Sequence, residues 1–219
     1  MSNKTLIFIF LSSIVCFIIF SFLVYAGFFL KIDPRLTVLS QKTISSSWSE
    51  PLSALTLVGS VEVTGTILMV LLLLKYKRNL FLIAVILFLF ASPVLIEIIG
   101  KNLLYHPGPP KQFFRFNFPI FFPSHYTHTN YAFPSGHMLR TTFLVVIGSV
   151  SVINSRFRRS YKILAITALL AVLFSMAVSR VFLGEHWTSD VLGGIALGTA
   201  FGALAGLFLN RCEDSKIEE

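Results

Sequence analysis

Charge is sparse in this sequence. Charged residues make up 13% of its 219 positions, only ten of them are acidic, and hydrophobic residues make up 55%. With a mean hydropathy of +0.79, an ordinary soluble domain is excluded and the chain is placed in a membrane. Two cysteines supply no disulfide framework. Cys16 falls inside the first apolar segment and Cys212 after the last, at different depths, so no pairing is expected. Aspartate and glutamate are missing from the whole stretch 101–137. His106, His125 and His128 in that stretch therefore have no carboxylate beside them, their spacing matches no strong ligand pattern, and no metal is expected. The acid deficit leaves a net charge of +8, but the basic residues sit in short clusters between apolar runs. That pattern suits membrane topology and anionic lipid headgroups, not nucleic acid.

The apolar runs predict an all-α integral membrane bundle of six helices, about 5–30, 52–74, 79–100, 138–154, 161–180 and 190–210, forming one domain over 1–219. The first run, Leu6 to Leu30, exceeds a signal-peptide core and is followed by no clear small-residue cleavage site, so it reads as a retained span. Segment 31–51 reads as a loop or an interfacial helix. Segment 101–137 reads as a long outer loop between the third and fourth helices, and loops of that length are usually functional or disordered. Lys75, Lys77, Arg78, Arg156, Arg158, Arg159 and Lys162 share one side with Lys4 and Arg211. The positive-inside rule puts that side, with both termini, in the cytoplasm. Lys101, His137, Arg180 and His186 then fall together on the outer side of a cell membrane, and short loops suit a bacterial inner or plasma membrane. Gly194, Gly198, Gly202 and Gly206 recur at four-residue spacing along one face of the last helix, where they permit close packing.

Ionisable groups beside lipid are costly and mark function by default. Between the last two apolar runs lie Ser179-Arg180, then His186, then Asp190. His186 and Asp190 are four apart and share a helical face. An Asp bonded to one imidazole nitrogen leaves the other as nucleophile or base, and the Arg180 fork suits phosphate. An interfacial salt-bridge network is the plainer alternative. Pro134-Ser135-Gly136-His137 precedes an apolar helix. Ser135 is a candidate N-cap, Gly136 allows close backbone approach, the helix start offers an anion site, and His137 stands at its edge to protonate a leaving oxygen. Without the rest, the same run is an ordinary loop-to-helix junction.

Together these runs resemble the type-2 phosphatidic acid phosphatase superfamily, the membrane relatives of vanadium haloperoxidases. Its three-part signature is Lys-x6-Arg-Pro, Pro-Ser-Gly-His and Ser-Arg-x5-His-x3-Asp, and the second and third parts are complete here. The resemblance implies an integral membrane phosphatase, needing no cofactor or metal, that hydrolyses a lipid phosphomonoester or pyrophosphate. It makes His186 the nucleophile that forms a phosphohistidine, Asp190 its support and His137 the proton donor. Arg180, Ser135 and Gly136 would hold the phosphoryl oxygens together with Lys101. A lipid phosphotransferase using the same residues, or a non-catalytic lipid-phosphate binder or transporter, are the alternatives.

The first motif departs from the pattern. Lys101 is in place, but Gly108 stands where arginine is expected, before Pro109. Arg140, three residues after His137, is the candidate replacement. Its rival role is an ion pair with Glu62 or Glu97. Glu97 and Lys101, four apart, form a favourable helical pair, either holding Lys101 until phosphate arrives or purely structural. The phenylalanines at 113, 114, 116, 118, 121 and 122 suit either the membrane interface or a lid over the site.

Overall fold

The computed structural model describes residues 1–116, 118–120, 122–123 and 129–215, with side chains described as far as 212. Eight helices follow in order: α1 Asn3–Tyr25, α2 Ile32–Thr43, α3 Ser49–Thr56, α4 Val61–Tyr76, α5 Leu80–Leu103, α6 Gly136–Asn154, α7 Arg159–Phe182 and α8 Thr188–Ser215. Five (α1, α5, α6, α7, α8) are long and apolar enough to cross a bilayer, and the α3–α4 pair makes a sixth if taken as one span. The protein is a multi-pass membrane protein with an all-helical fold.

Two predicted helices differ in the structure. The first ends at Tyr25, not near residue 30, because Gly27 adopts a φ of +73° and turns the chain. The second is broken: α3 and α4 meet at 53°. A short 3-10 turn, Leu57–Gly59, ends the first piece, and Ser60 then goes extended and caps α4 by accepting the Val63 N–H at 3.2 Å. Leu57, Val58 and Gly59 keep the run apolar, which hides the break from hydropathy. Segment 31–51 is helical over α2.

Packing is centred on α6 and α8. The glycine stripe is what lets them touch: a Cβ on Gly194 or Gly198 would meet the backbone carbonyl of Ser135 or Leu139, and one on Gly202 would lie 2.8 Å from Val146 Cβ. Leu68, Leu72, Ile86, Phe90, Phe143 and Leu209 form the main buried cluster between α4, α5, α6 and α8. Phe90 meets Phe143 edge-on at 5.3 Å. Met138, Met176 and Val191 form a smaller cluster at the other end.

The connection between α5 and α6 is pinned at its base. Tyr131 N–H donates to the Lys101 carbonyl at 2.9 Å and Ala132 N–H to the His106 carbonyl at 3.0 Å. The C-terminal ends of α5 and α7 and the N-terminal ends of α6 and α8 thus meet at one end of the bundle.

Candidate active site

That meeting of helix ends surrounds a cavity of about 540 Å³. Lys101, His137, Arg140, Arg180 and His186 line it, with Glu97 and Glu185. Five of the eight residues expected to form the site are therefore brought to one cavity. Asp190 does not line it but stands behind His186: its Oδ2 is 3.2 Å from His186 Nδ1 and accepts the Trp187 N–H at 3.0 Å. One turn of α8 makes this possible, since the carboxylate caps the chain as it enters the helix. With Nδ1 engaged by Asp190, His186 has Nε2 left for the cavity.

Ser135 and Gly136 behave differently from the expectation. Ser135 occupies the N-cap position of α6, but its hydroxyl makes no capping bond and is buried without a partner among the described residues. Its N–H donates instead to the Asp190 carbonyl at 3.0 Å, tying the starts of α6 and α8 together. Gly136 does permit a close approach, but the group that approaches is the Glu97 carboxylate, which occupies the space a Cβ would need. Neither residue lines the cavity.

The cations are partly neutralised by two carboxylates. Glu97 bridges Lys101, at 2.8 Å, and Arg140 Nη1, at 3.0 Å. Of the two rival partners for Arg140, Glu97 is the one that pairs with it. Arg140 also donates through Nε to the Gly59 carbonyl at 3.2 Å, so the break between α3 and α4 supplies its second partner. Arg180 pairs through Nη1 with Glu185, while its buried Nε has no partner among the described residues. A buried guanidinium N–H with a donor to spare suits an anion.

Electrostatics favour neutral His186. Burial, then the positive charges of Arg180, Lys101 and Arg140, hold its pKa well below the ordinary imidazole range. Its loop is held from three directions. Gly184 takes a φ of +72° with the Phe113 carbonyl in the space a Cβ would need, so no side chain fits there. Gln41 from α2 donates to the carbonyls of Phe113 and Phe182 at 2.6 and 2.8 Å. Trp187 donates to the Pro107 carbonyl at 2.8 Å and meets Phe113 edge-on.

Phe114 and Phe122 form part of the cavity wall with Val94, Ile98 and Leu57, an apolar side facing the charged one. Phe121, His125 and His128 lie outside the described residues. Among the described residues, no three His, Cys, Asp or Glu side chains are arranged to hold a metal ion.

The sequence reading missed Glu185, Gly59, Asp33 and a role for His106. Glu185 had one available signal, its position directly before His186 in the arginine–histidine run. Gly59 had the serine after it, an N-cap residue in the middle of an apolar stretch.

Comparison with known proteins bears on the same region. Residues 80–213 match the family model of the PAP2 superfamily. Over 93 residues the chain is 36% identical to phosphatidylglycerophosphatase B of Bacillus subtilis, covering 41% of this chain and 42% of that protein. Over 81 residues it is 31% identical to lipid A 1-phosphatase of Rhizobium johnstonii, covering 37% and 29% respectively. The aligned segments thus span less than half of either relative. The fold is similar to the crystal structure of a transmembrane PAP2-type phosphatidylglycerolphosphate phosphatase from Bacillus subtilis, with a TM-score of 0.67, 20% identity, and coverage of 95% and 96% of the two chains.

Proposed function

The chain belongs to the PAP2 superfamily, and we propose that it is a membrane phosphatase hydrolysing the phosphomonoester or pyrophosphate headgroup of a lipid, through a phosphohistidine, at the outer face of the membrane. The observation that carries this reading is His186, backed by Asp190 and facing the same cavity as His137 and three cations. The names of the two relatives, a phosphatidylglycerophosphatase and a lipid A phosphatase, support a lipid phosphate as substrate.

In this reading the phosphoryl oxygens sit among Lys101, Arg140 and Arg180, with the buried Ser135 hydroxyl and the start of α6 close behind. Fixed positive charge in a site away from water stabilises the charge that builds during transfer. His186 Nε2 attacks phosphorus as the bond to the lipid oxygen breaks, and His137 gives that oxygen its proton. A water then attacks the phosphohistidine, His137 takes the water's proton, and the P–N bond breaks to release inorganic phosphate and restore His186. Splitting the displacement in two lowers each barrier. The lipid tail lies along the apolar wall of Val94, Ile98, Leu57 and Phe114. Arg140 supplies the charge that Gly108 cannot.

The test is phosphate release from a panel of lipid phosphates in detergent with EDTA present, comparing wild type with His186→Ala and Arg140→Ala. Turnover that survives EDTA and disappears with His186 is expected. Phosphate appearing on an acceptor lipid would replace hydrolysis by transfer, and full activity in folded Arg140→Ala would remove Arg140 from the site.

A further inference from the structure

Behind the cavity runs a second chain of buried polar groups from three separate parts of the sequence. Asp33 comes from the first turn of α2, His106 from the connection after α5, and Ser189 and Asp190 from the start of α8. Their exposures are 2%, 3%, 0% and 0%. None of them lines the cavity. Polar side chains are not sealed together in an apolar bundle without a return in hydrogen bonding or function.

The distances fix the direction of the chain. Ser189 donates its N–H to Asp33 Oδ1 at 3.0 Å and its hydroxyl to Asp33 Oδ2 at 2.6 Å. A serine hydroxyl has one hydrogen, so towards His106 Nε2, 3.1 Å away, Ser189 Oγ can only accept. With the hydroxyl hydrogen given to Asp33, the tautomer protonated on Nε2 is the one that completes this bond. The same nitrogen is 3.4 Å from Asp190 Oδ1, so its hydrogen lies between that oxygen and Ser189 Oγ; among the described residues Oδ1 has no hydrogen bond of normal geometry. Burial lowers the pKa of His106 to about 4, so the imidazole is neutral and its N–H on Nε2 is the only one it has. Asp33, also 3.7 Å from Nε2, sets the tautomer through Ser189. This is the arrangement by which an acid fixes an imidazole, repeated one layer behind His186.

Asp190 is thus approached on both oxygens. Oδ2 meets His186 and the Trp187 N–H; Oδ1 faces His106. We propose that His106, its tautomer set by Asp33 through Ser189, is a positioning residue that holds the plane of the Asp190 carboxylate and so keeps His186 Nε2 aimed at the cavity. The proposal rests on the reading of His186 as nucleophile. It touches no substrate, so its effect belongs in turnover and not in binding.

The test uses the full chain in detergent, with phosphatidic acid as first probe or the best substrate of the panel, and compares wild type, His186→Ala, His106→Leu, His106→Gln and Asp33→Asn. Leucine fills the buried site without a donor, whereas the glutamine amide places an N–H near Nε2. His106→Leu is expected to lower kcat about tenfold or more with KM within twofold, and His106→Gln to recover most of that loss. Wild-type kcat in folded His106→Leu, a change confined to KM, or a glutamine variant as impaired as leucine overturns the proposal while leaving an inactive His186→Ala intact. Activity in His186→Ala overturns the nucleophile reading, and the proposal with it. Should His106→Leu fail to fold, Asp33→Asn against His106→Gln decides the matter: a kcat-only loss in the first supports the relay, and no loss rejects it.

Discussion

Glu97 Oε2 lies 3.0 Å from Arg140 Nη1, an ion pair that joins α5 to α6 inside the bundle. The other oxygen of the same carboxylate holds Lys101. One acid therefore organises two cations of the cavity, at two different helices. Removing one partner of a buried pair leaves an uncompensated charge, which typically costs about 3–5 kcal/mol. Glu97→Ala is expected to lower the melting temperature markedly, and Arg140→Ala added to it should restore part of the loss. A melting curve of Glu97→Ala matching wild type would show the pair to be dispensable.

Gly184 makes a different kind of demand. Its φ of +72° strains any other residue, by about 1–2 kcal/mol for the left-handed region alone, and the Phe113 carbonyl leaves no room for a side chain. Gly184→Ala should displace the loop that carries His186, reducing kcat by tenfold or more while phosphate binding changes less. Calorimetric binding of inorganic phosphate beside steady-state turnover checks this; equal losses in both would place the damage elsewhere.

Activity should persist into mildly acidic solution. A nucleophilic imidazole must be unprotonated at Nε2, and burial with Arg180, Lys101 and Arg140 pushes its pKa below the usual 6.5. The acid limb of kcat is thus expected below pH 6.5. Lys101→Met removes one positive neighbour, which raises that pKa and moves the limb of the residual activity to higher pH. A limb that stays fixed in Lys101→Met would mean that another group controls it.

His106 gives a stability slope of its own. It stays neutral in the fold down to about 4 but protonates below about 6.5 when unfolded. The unfolded chain then binds more protons, so stability is lost as pH falls from 6.5 towards 4. Unfolding followed at several pH values should show a shallower acid slope in His106→Gln than in wild type, and an identical slope would refute the assignment.

Two glycines separate packing from propensity. At Gly202 a Cβ would meet Val146 Cβ at 2.8 Å, whereas at Gly65 the nearest atom is Phe90 Cε1 at 3.9 Å. Gly202→Leu should disrupt α6 against α8 and abolish a cooperative melt. Gly65→Ala, within α4, should be neutral or stabilising by up to about 1 kcal/mol. Parallel thermal melts distinguish the two.

What could be read from the chain was whatever lay within a few residues. His186 and Asp190 are one turn apart, Lys101 follows Glu97 by one turn, and His137 precedes Arg140 within the same helix; periodicity delivers such pairs. The spans were legible because unbroken apolar runs have one physical use. Asp33 was not legible, since it reaches Ser189 across 156 positions through a helix that looks amphipathic and unremarked in sequence. Nor was Glu185: its neighbour His186 drew attention as the reactive group, and only the turn at Gly184 shows the acid folding back on Arg180. Gly136 was legible as a close-approach position but not as to what approaches. The break at Gly59 escaped because a hydropathy window cannot see φ and ψ.

The glycine stripe of α8 has a consequence for the bilayer. Sliding α8 by one residue past α6 would drive side chains into the carbonyls of Ser135 and Leu139, so the two helices are locked in register along the membrane normal. His137, at the start of one, and His186, at the threshold of the other, therefore keep their separation when bilayer thickness changes. Mismatch must be absorbed by tilt of the α6–α8 pair as a unit or by the lipid.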